Sequence, residues 1–360
     1  MSHMPESQRI SRRTGLQMAI GGLVTVAIPT AAEARSKRRK KNRDERPVAE
    51  EWTYIRSFGA YGDVNDLVGI NTPSGITFDP EDGTLYLSES RQHCVSTWVR
   101  NGSEWDYKAD GKFGTQGSGV GQLRAPEKIA LAADRRTLYV ADTDNSRIAI
   151  WSRPDHASLW KAHEPFGEGV LEAPTAVIVT RDGRTAYVAD ETANLVRTFT
   201  RTAITDPFVH SKVLDIGGTS GDTRRFLDAP KALYLTPDEL TLGVVAADND
   251  RVSLWSRPNT KFDWKWATNV EGVDIPHTAR LTPDGTQIFV PGSTPHVINR
   301  FAKTDGVWTA IAPLVRTEGL ANAGNYLDLA FAPDGRTMLV ANSGTRAAEV
   351  EVWQLRPVRE

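Results

Sequence analysis

Five titratable side chains stand one or two positions after the residue that opens a short apolar run. Glu127 and Lys128 follow Pro126, Lys231 follows Pro230, His277 follows Pro276, and Asp328 lies two after Tyr326, which takes the proline's place. Elsewhere the same positions hold small or apolar residues: Ser74 and Gly75, Thr175 and Ala176, Ala232, Thr278 and Leu327. If these runs converge on one axis, the five side chains meet, and two chemistries are open to them. Glu127, His277 and Asp328 offer a mixed oxygen and nitrogen donor set that suits Ca or Mn, or Zn if a water completes it. Lys128 and Lys231 offer the opposite, since two ammonium groups repel a cation and attract a carboxylate-bearing ligand. The plain alternative is a ring of solvated or mutually paired charges of little energetic weight.

Other chemically suggestive residues read as structural. Asp142 and Arg147 bracket a single hairpin and are placed to tie it together. Cys94, the one cysteine, sits in an apolar strand as a small hydrophobe and has no intrachain partner for a disulfide. His93 beside it makes no dyad, because neighbouring strand residues point to opposite faces. Gly119 and Gly121 are not followed by Gly-Lys-Ser/Thr, so they are not a phosphate loop, and the acidic pairs Asp142/Asp144 and Asp248/Asp250 lack the glycine and glutamate of a calcium loop.

The elements that must position these residues repeat. Asp134-Arg135-Arg136-Thr137-Leu138-Tyr139-Val140-Ala141-Asp142 matches the segments beginning at Asp182 and Asp334, with looser copies at Asp82, Asp238 and Asp284. Each copy is followed by a β-rich run ending in an aromatic: Trp98, Trp151, Phe199, Trp255, Phe301 and Trp353. Each unit reads as a Pro-led strand, a tight turn that is Asp-Gly in four of the six copies, a strand ending in the Tyr-Val-Ala-Asp pattern, and two further strands. Roughly 50 residues and four strands per unit is the size of a propeller blade. The fold expected is all-β, a six-bladed β-propeller of four-stranded blades. Residues 349–353 end the chain on a third strand, and residues 52–58 resemble a fourth strand with no unit before it, so the two are expected to close the ring in one blade.

The second unit carries Phe113-Gly114-Thr115-Gln116-Gly117-Ser118-Gly119-Val120-Gly121-Gln122-Leu123-Arg124-Ala125-Pro126, then Tyr139-Val140-Ala141-Asp142-Thr143-Asp144-Asn145-Ser146-Arg147-Ile148. This resembles an NHL repeat over its full length. The resemblance extends over residues 52–355 and is most specific in the first three units. It departs at Leu195, where the repeat has Arg, at Ala246, where it has the strand-end Asp, and at Gly292 in the fifth unit. It implies a ligand at the mouth of the central channel, where Glu127, Lys128, Lys231, His277 and Asp328 would stand. Two enzyme groups share the fold that it implies. The metal-dependent lactonases resemble a Glu, Asn, Asp pattern at successive strand starts, of which this chain offers Glu127, His277 and Asp328 but no Asn. The zinc amidating lyases use several histidines, of which only His277 falls at a strand start.

Upstream of the repeats, Arg12-Arg13, an apolar stretch from Leu16 to Ile28, and Ala32-Glu33-Ala34 come in signal-peptide order. The pair of arginines after Ser11 resembles a twin-arginine export signal, although Gly15 stands where that pattern prefers a large apolar residue. About thirteen apolar positions span ~20 Å as a helix, short of a ~30 Å hydrocarbon core, so a cleaved leader is expected over residues 1–34 and no transmembrane anchor after cleavage. Residues 35–51 read as a basic linker, and the eight basic groups within 35–46 as a weak tether to anionic cell-surface polymer or lipid. Residues 47–360 hold 32 basic against 41 acidic side chains, a surface that disfavours nucleic acid. The sequence thus describes an exported monomer, periplasmic or extracellular. Its propeller over residues 52–355 and short tail over 356–360 would serve as a binding or scaffolding module for a protein, peptide or anionic glycan. The alternative is a metal-dependent hydrolase or lyase.

Overall fold

The computed structural model describes residues 50–59, 69–102, 104–108, 111–211, 216–217, 223–317, 324–344 and 347–358. The leader expected over residues 1–34, and the basic run after it, lie outside them. Blade 1 is built from Pro73–Phe78, Leu85–Glu89, Cys94–Asn101 and Glu104–Tyr107, each strand antiparallel to the next. Blade 2 repeats this with Pro126–Leu131, Thr137–Asp142, Arg147–Ser152 and Lys161–Phe166. Blades 3 to 5 open at Pro174–Val179, Pro230–Leu235 and Arg280–Leu281, and blade 6 at Tyr326–Phe331. The first strands of the blades face one another around an axis, and apolar clusters fill the spaces between consecutive blades.

Blade 6 takes its outer strand from the start of the ring. Glu50–Phe58 pairs antiparallel with Ala347–Pro357, from Glu50 opposite Pro357 to Phe58 opposite Val350. The strand begins at Glu50 rather than Trp52 and its partner runs on to Pro357, so the closing ladder is longer than the sequence pattern indicates.

The Asp-Gly turns work as their chemistry requires. Asp182 Oδ1 accepts from Arg184 N at 3.0 Å and from Thr180 Oγ1 at 2.7 Å, while Gly183 takes φ +69°. The Asp142–Arg147 pair is structural. Arg147 Nε donates to Asp142 at 2.8 Å, and its other nitrogens donate to Ser118, Gly119 and Gln122 carbonyls, fastening the glycine-rich loop to the hairpin. In blade 3, where Leu195 replaces the expected arginine, Arg197 Nε reaches Asp190 at 3.2 Å instead.

A second device recurs between blades. An arginine after the third strand stacks on the aromatic that follows it, beside a tyrosine of the preceding blade. Arg153 lies 4.5 Å from the Trp160 ring and 5.9 Å from Tyr86. Arg201 covers Phe208 at 4.3 Å and donates to Tyr139 Oη at 3.3 Å; Arg257 covers Trp264 at 4.2 Å and donates to Tyr187 Oη at 3.4 Å. Each cation–π contact with the following aromatic lies within one blade, and the tyrosine contact of the same arginine joins it to the preceding blade.

Candidate functional site

All five singled-out residues lie at the inner ends of the blades, and their partners decide what each can do. Asp328 is fully buried. Its carboxylate accepts from Arg280 at 2.9 Å, Thr278 Oγ1 at 2.8 Å and the backbone N–H of Ile76 at 3.2 Å, linking blades 5, 6 and 1. Lys128, 5% exposed, donates Nζ to the carbonyls of Ser74 at 2.7 Å and Leu327 at 2.5 Å, which joins blade 2 to blades 1 and 6. Burial pulls its ammonium below the ordinary lysine range, against the pull of Asp328 and Glu127. This packing leaves no room for a side chain at Gly75, where a Cβ would lie 2.8 Å from Lys128 Cα and 2.7 Å from the Glu127 carbonyl oxygen.

Lys231 is paired with Glu191, which projects from the turn after the second strand of blade 3. The sequence reading missed Glu191; the signal was a carboxylate directly after the strand-end Asp190. Glu127 is half-buried, and burial raises its carboxyl pKa although Lys128 and Lys231 oppose the rise. His277 departs from its expected setting, because blade 5 forms its inner ladder only at Arg280–Leu281. The segment before it is held by bonds from His277 N to the Pro291 carbonyl at 3.0 Å, from Ser293 N to the Asp274 carbonyl at 2.9 Å and from Ile275 N to Asp250 Oδ1 at 2.9 Å. The chain passes close by at Gly292, where a Cβ would lie 2.4 Å from the Asp274 carbonyl oxygen. Burial, then the charges of Lys128 and Lys231, push the His277 imidazole down to about 4, so it is neutral at physiological pH. Its Nε2 is buried and has no hydrogen-bond partner among the described residues.

The donor set Glu127, His277 and Asp328 is not gathered. Among the described residues, the one group of three such side chains with ligand atoms within 4.8 Å of one another is Asp79, Asp82 and His156. There Arg153 Nη2 stands 3.1 Å from His156 Nδ1 and 3.5 Å from Asp79, and Arg135 lies 3.6 Å from Asp79, so guanidinium groups already supply the positive charge. At the axis, Asp328 is likewise committed to Arg280, and two lysines share the space. Neither set suits a cation as it stands.

Cys94 is buried, and burial pushes its thiol well above the ordinary range, which suits a packing role. His93 Nδ1 accepts from Ala125 N at 3.1 Å and serves the backbone. Glu89, 1% exposed at the end of the second strand of blade 1, is the unexpected titrating group. It accepts from Asn71 N at 3.0 Å, and burial pushes its carboxyl up to about 7. Between about 4.5 and about 7 the folded state holds a proton that the unfolded state has lost, so stability falls as pH rises through that window, by about 3 kcal/mol in all. Glu89→Gln keeps an acceptor for Asn71 and is expected to flatten that fall. Urea unfolding at pH 5 and pH 8 checks it, and an unchanged slope in the variant would refute the assignment.

No protein-family model matches the chain, and no curated protein sequence matches it. Solved structures do. The Pseudomonas aeruginosa periplasmic gluconolactonase is 13% identical with a TM-score of 0.57, over 86% of this chain and 98% of that one. A Lactobacillus plantarum protein is 14% identical with a TM-score of 0.56, over 86% and 96%. Hydrazine synthase of Kuenenia stuttgartiensis is 18% identical with a TM-score of 0.53, over 80% and 77%. At these identities the likeness is one of fold, and functions as different as these on one architecture are what propeller folds permit.

Proposed function

We propose that the chain is an exported propeller of NHL type that acts as a binding module, taking an anionic ligand at the polar mouth of its channel. The ligand class is a carboxylate-bearing peptide or an acidic glycan. The observation that carries this reading is His277 Nε2, a buried polar atom without a partner in the field of Lys128 and Lys231. A buried polar group left unpaired costs about 1–3 kcal/mol, and a ligand carboxylate accepting from the Nε2–H tautomer would relieve it. Lys231, paired with Glu191, stands near enough for its charge to act on His277. Residues 35–46 would add a tether to anionic cell-surface polymer, bringing the mouth to its ligand.

Calorimetric titration with oligogalacturonate and oligoglutamate tests the reading. One of them is expected to saturate the protein, and Lys231→Ala to weaken it about tenfold or more, since Glu191 then faces the ligand unopposed. Binding that Lys231→Ala leaves unchanged would sink it. A second reading draws on the neutral imidazole of His277 and the raised carboxyl of Glu127, both in the field of Lys128 and Lys231, groups of the kind that serve hydrolysis. Turnover of an aldonolactone that His277→Ala abolishes would favour this hydrolase over the binding module.

A further inference from the structure

The channel has a second end of different character. Because successive strands of a blade are antiparallel, the turns after the first and third strands share the face opposite the one holding Lys231 and His277. Toward that face the inner strands present Phe78, Leu131, Ile178, Leu235, Leu281 and Phe331, all half-buried, around a cavity of about 360 Å³. Lys128 and Arg280 also line it. Arg280 donates Nη1 to the Ala279 carbonyl at 3.0 Å, Thr278 Oγ1 at 3.2 Å and the Leu233 carbonyl at 3.4 Å, and Nη2 to Asp328, which leaves Nε without a bond to the described residues. Lys128 and Arg280 together set two cations against the one fully engaged carboxylate, Asp328. The other nearby acid, Glu127, does not line the cavity, and no carboxylate is among the residues that do. On the same face, the hairpins after the third strands of blades 2, 3 and 4 expose Leu159, Ile204 and Phe262.

We propose that this end of the channel binds a small amphiphilic carboxylate, its head against Arg280 and Lys128 and its chain among Phe78, Leu131, Leu235, Leu281 and Phe331. An apolar cavity of about 150 Å³ holds a benzene, so this one has room for a chain of roughly eight carbons and its head. The charge decides the class. An uncharged or cationic amphiphile fits the apolar rim equally well but leaves the buried positive charge uncompensated, which is costly in such surroundings.

The test titrates the folded chain with octanoate, 1-octanol and octyltrimethylammonium. Octanoate is expected to saturate one site at least tenfold more tightly than either of the others. Leu131→Glu and Leu281→Glu, each at a half-exposed rim position on a different blade, should each weaken octanoate at least tenfold, in proteins that still melt cooperatively. Lys231→Ala, at the opposite mouth, should change octanoate binding less than twofold, which keeps this site separate from the one proposed above. Equal affinity for the three head groups, no saturable octanoate binding, or undiminished binding in both rim variants would overturn the proposal.

Discussion

Deleting residues 50–58 is expected to abolish the cooperative melting of the propeller rather than merely lower it. The segment supplies the outer strand of blade 6 along its whole length, from Glu50 opposite Pro357 to Phe58 opposite Val350. Its side chains also reach the blades on either side. Trp52, 9% exposed, packs 5.8 Å from the Phe289 ring of blade 5, and Phe58 packs 5.3 Å from Trp98 and 5.7 Å from Trp105 of blade 1. Ser57 donates to Glu349 at 2.5 Å, and Arg336 donates to Glu50 at 2.6 Å, fixing the register at both ends. Burial of large apolar side chains contributes about 1.5–3 kcal/mol each, so losing Trp52, Tyr54 and Phe58 removes much of a typical total of roughly 5–15 kcal/mol. The deletion also exposes the backbone edge of Ala347–Pro357, an invitation to association. A synthetic peptide of residues 50–59 added in trans should restore a cooperative transition by refilling that edge. A melting temperature unchanged by the deletion would show that the ring does not depend on this strand.

The closing strand was legible because its pattern is local: an aromatic, alternating run with no unit before it, and a last unit one strand short. The Asp-Gly turns and Pro-led strands were legible for the same reason, since turn chemistry and period are properties of a few neighbouring residues. What was hidden depends on residues distant in sequence. The arginines after Trp151-Ser152, Phe199-Thr200 and Trp255-Ser256 are visible as a repeat, but each one's tyrosine belongs to the preceding blade. Arg197 replaces the arginine expected at 195 from a different place on the strand, with the same carboxylate as its target. At the axis, the positions one and two after the opening residue were the right ones to examine, yet Arg280, four after Pro276, proves to be the partner of Asp328. A strand's period shows which residues share a face; it does not show how far a long guanidinium reaches across a ring.

That partnership makes Asp328 the inner residue whose loss should be felt most. Its carboxylate is fully buried and accepts from Arg280, Thr278, the Ile76 N–H and its neighbour's N–H, Leu329, at 2.9 Å. It is also the first counter-charge to Lys128, opposing the burial that pulls that ammonium below the ordinary lysine range. Asp328→Ala strands two cations and several donors in a space where water cannot fully replace the carboxylate. Removing one partner of a buried pair typically costs 3–5 kcal/mol, and about that loss is expected in urea unfolding. Asp328→Asn keeps an acceptor oxygen while removing the charge, so it should cost less than alanine, and the difference between the two separates hydrogen bonding from charge. Two cations without their carboxylate also leave the channel more positive, so the alanine variant, if it folds at low temperature, should hold octanoate more tightly than the wild type. A variant that is as stable as the wild type would mean that Arg280 and Lys128 find compensation elsewhere, and the argument for an excess positive charge in the channel would fail with it.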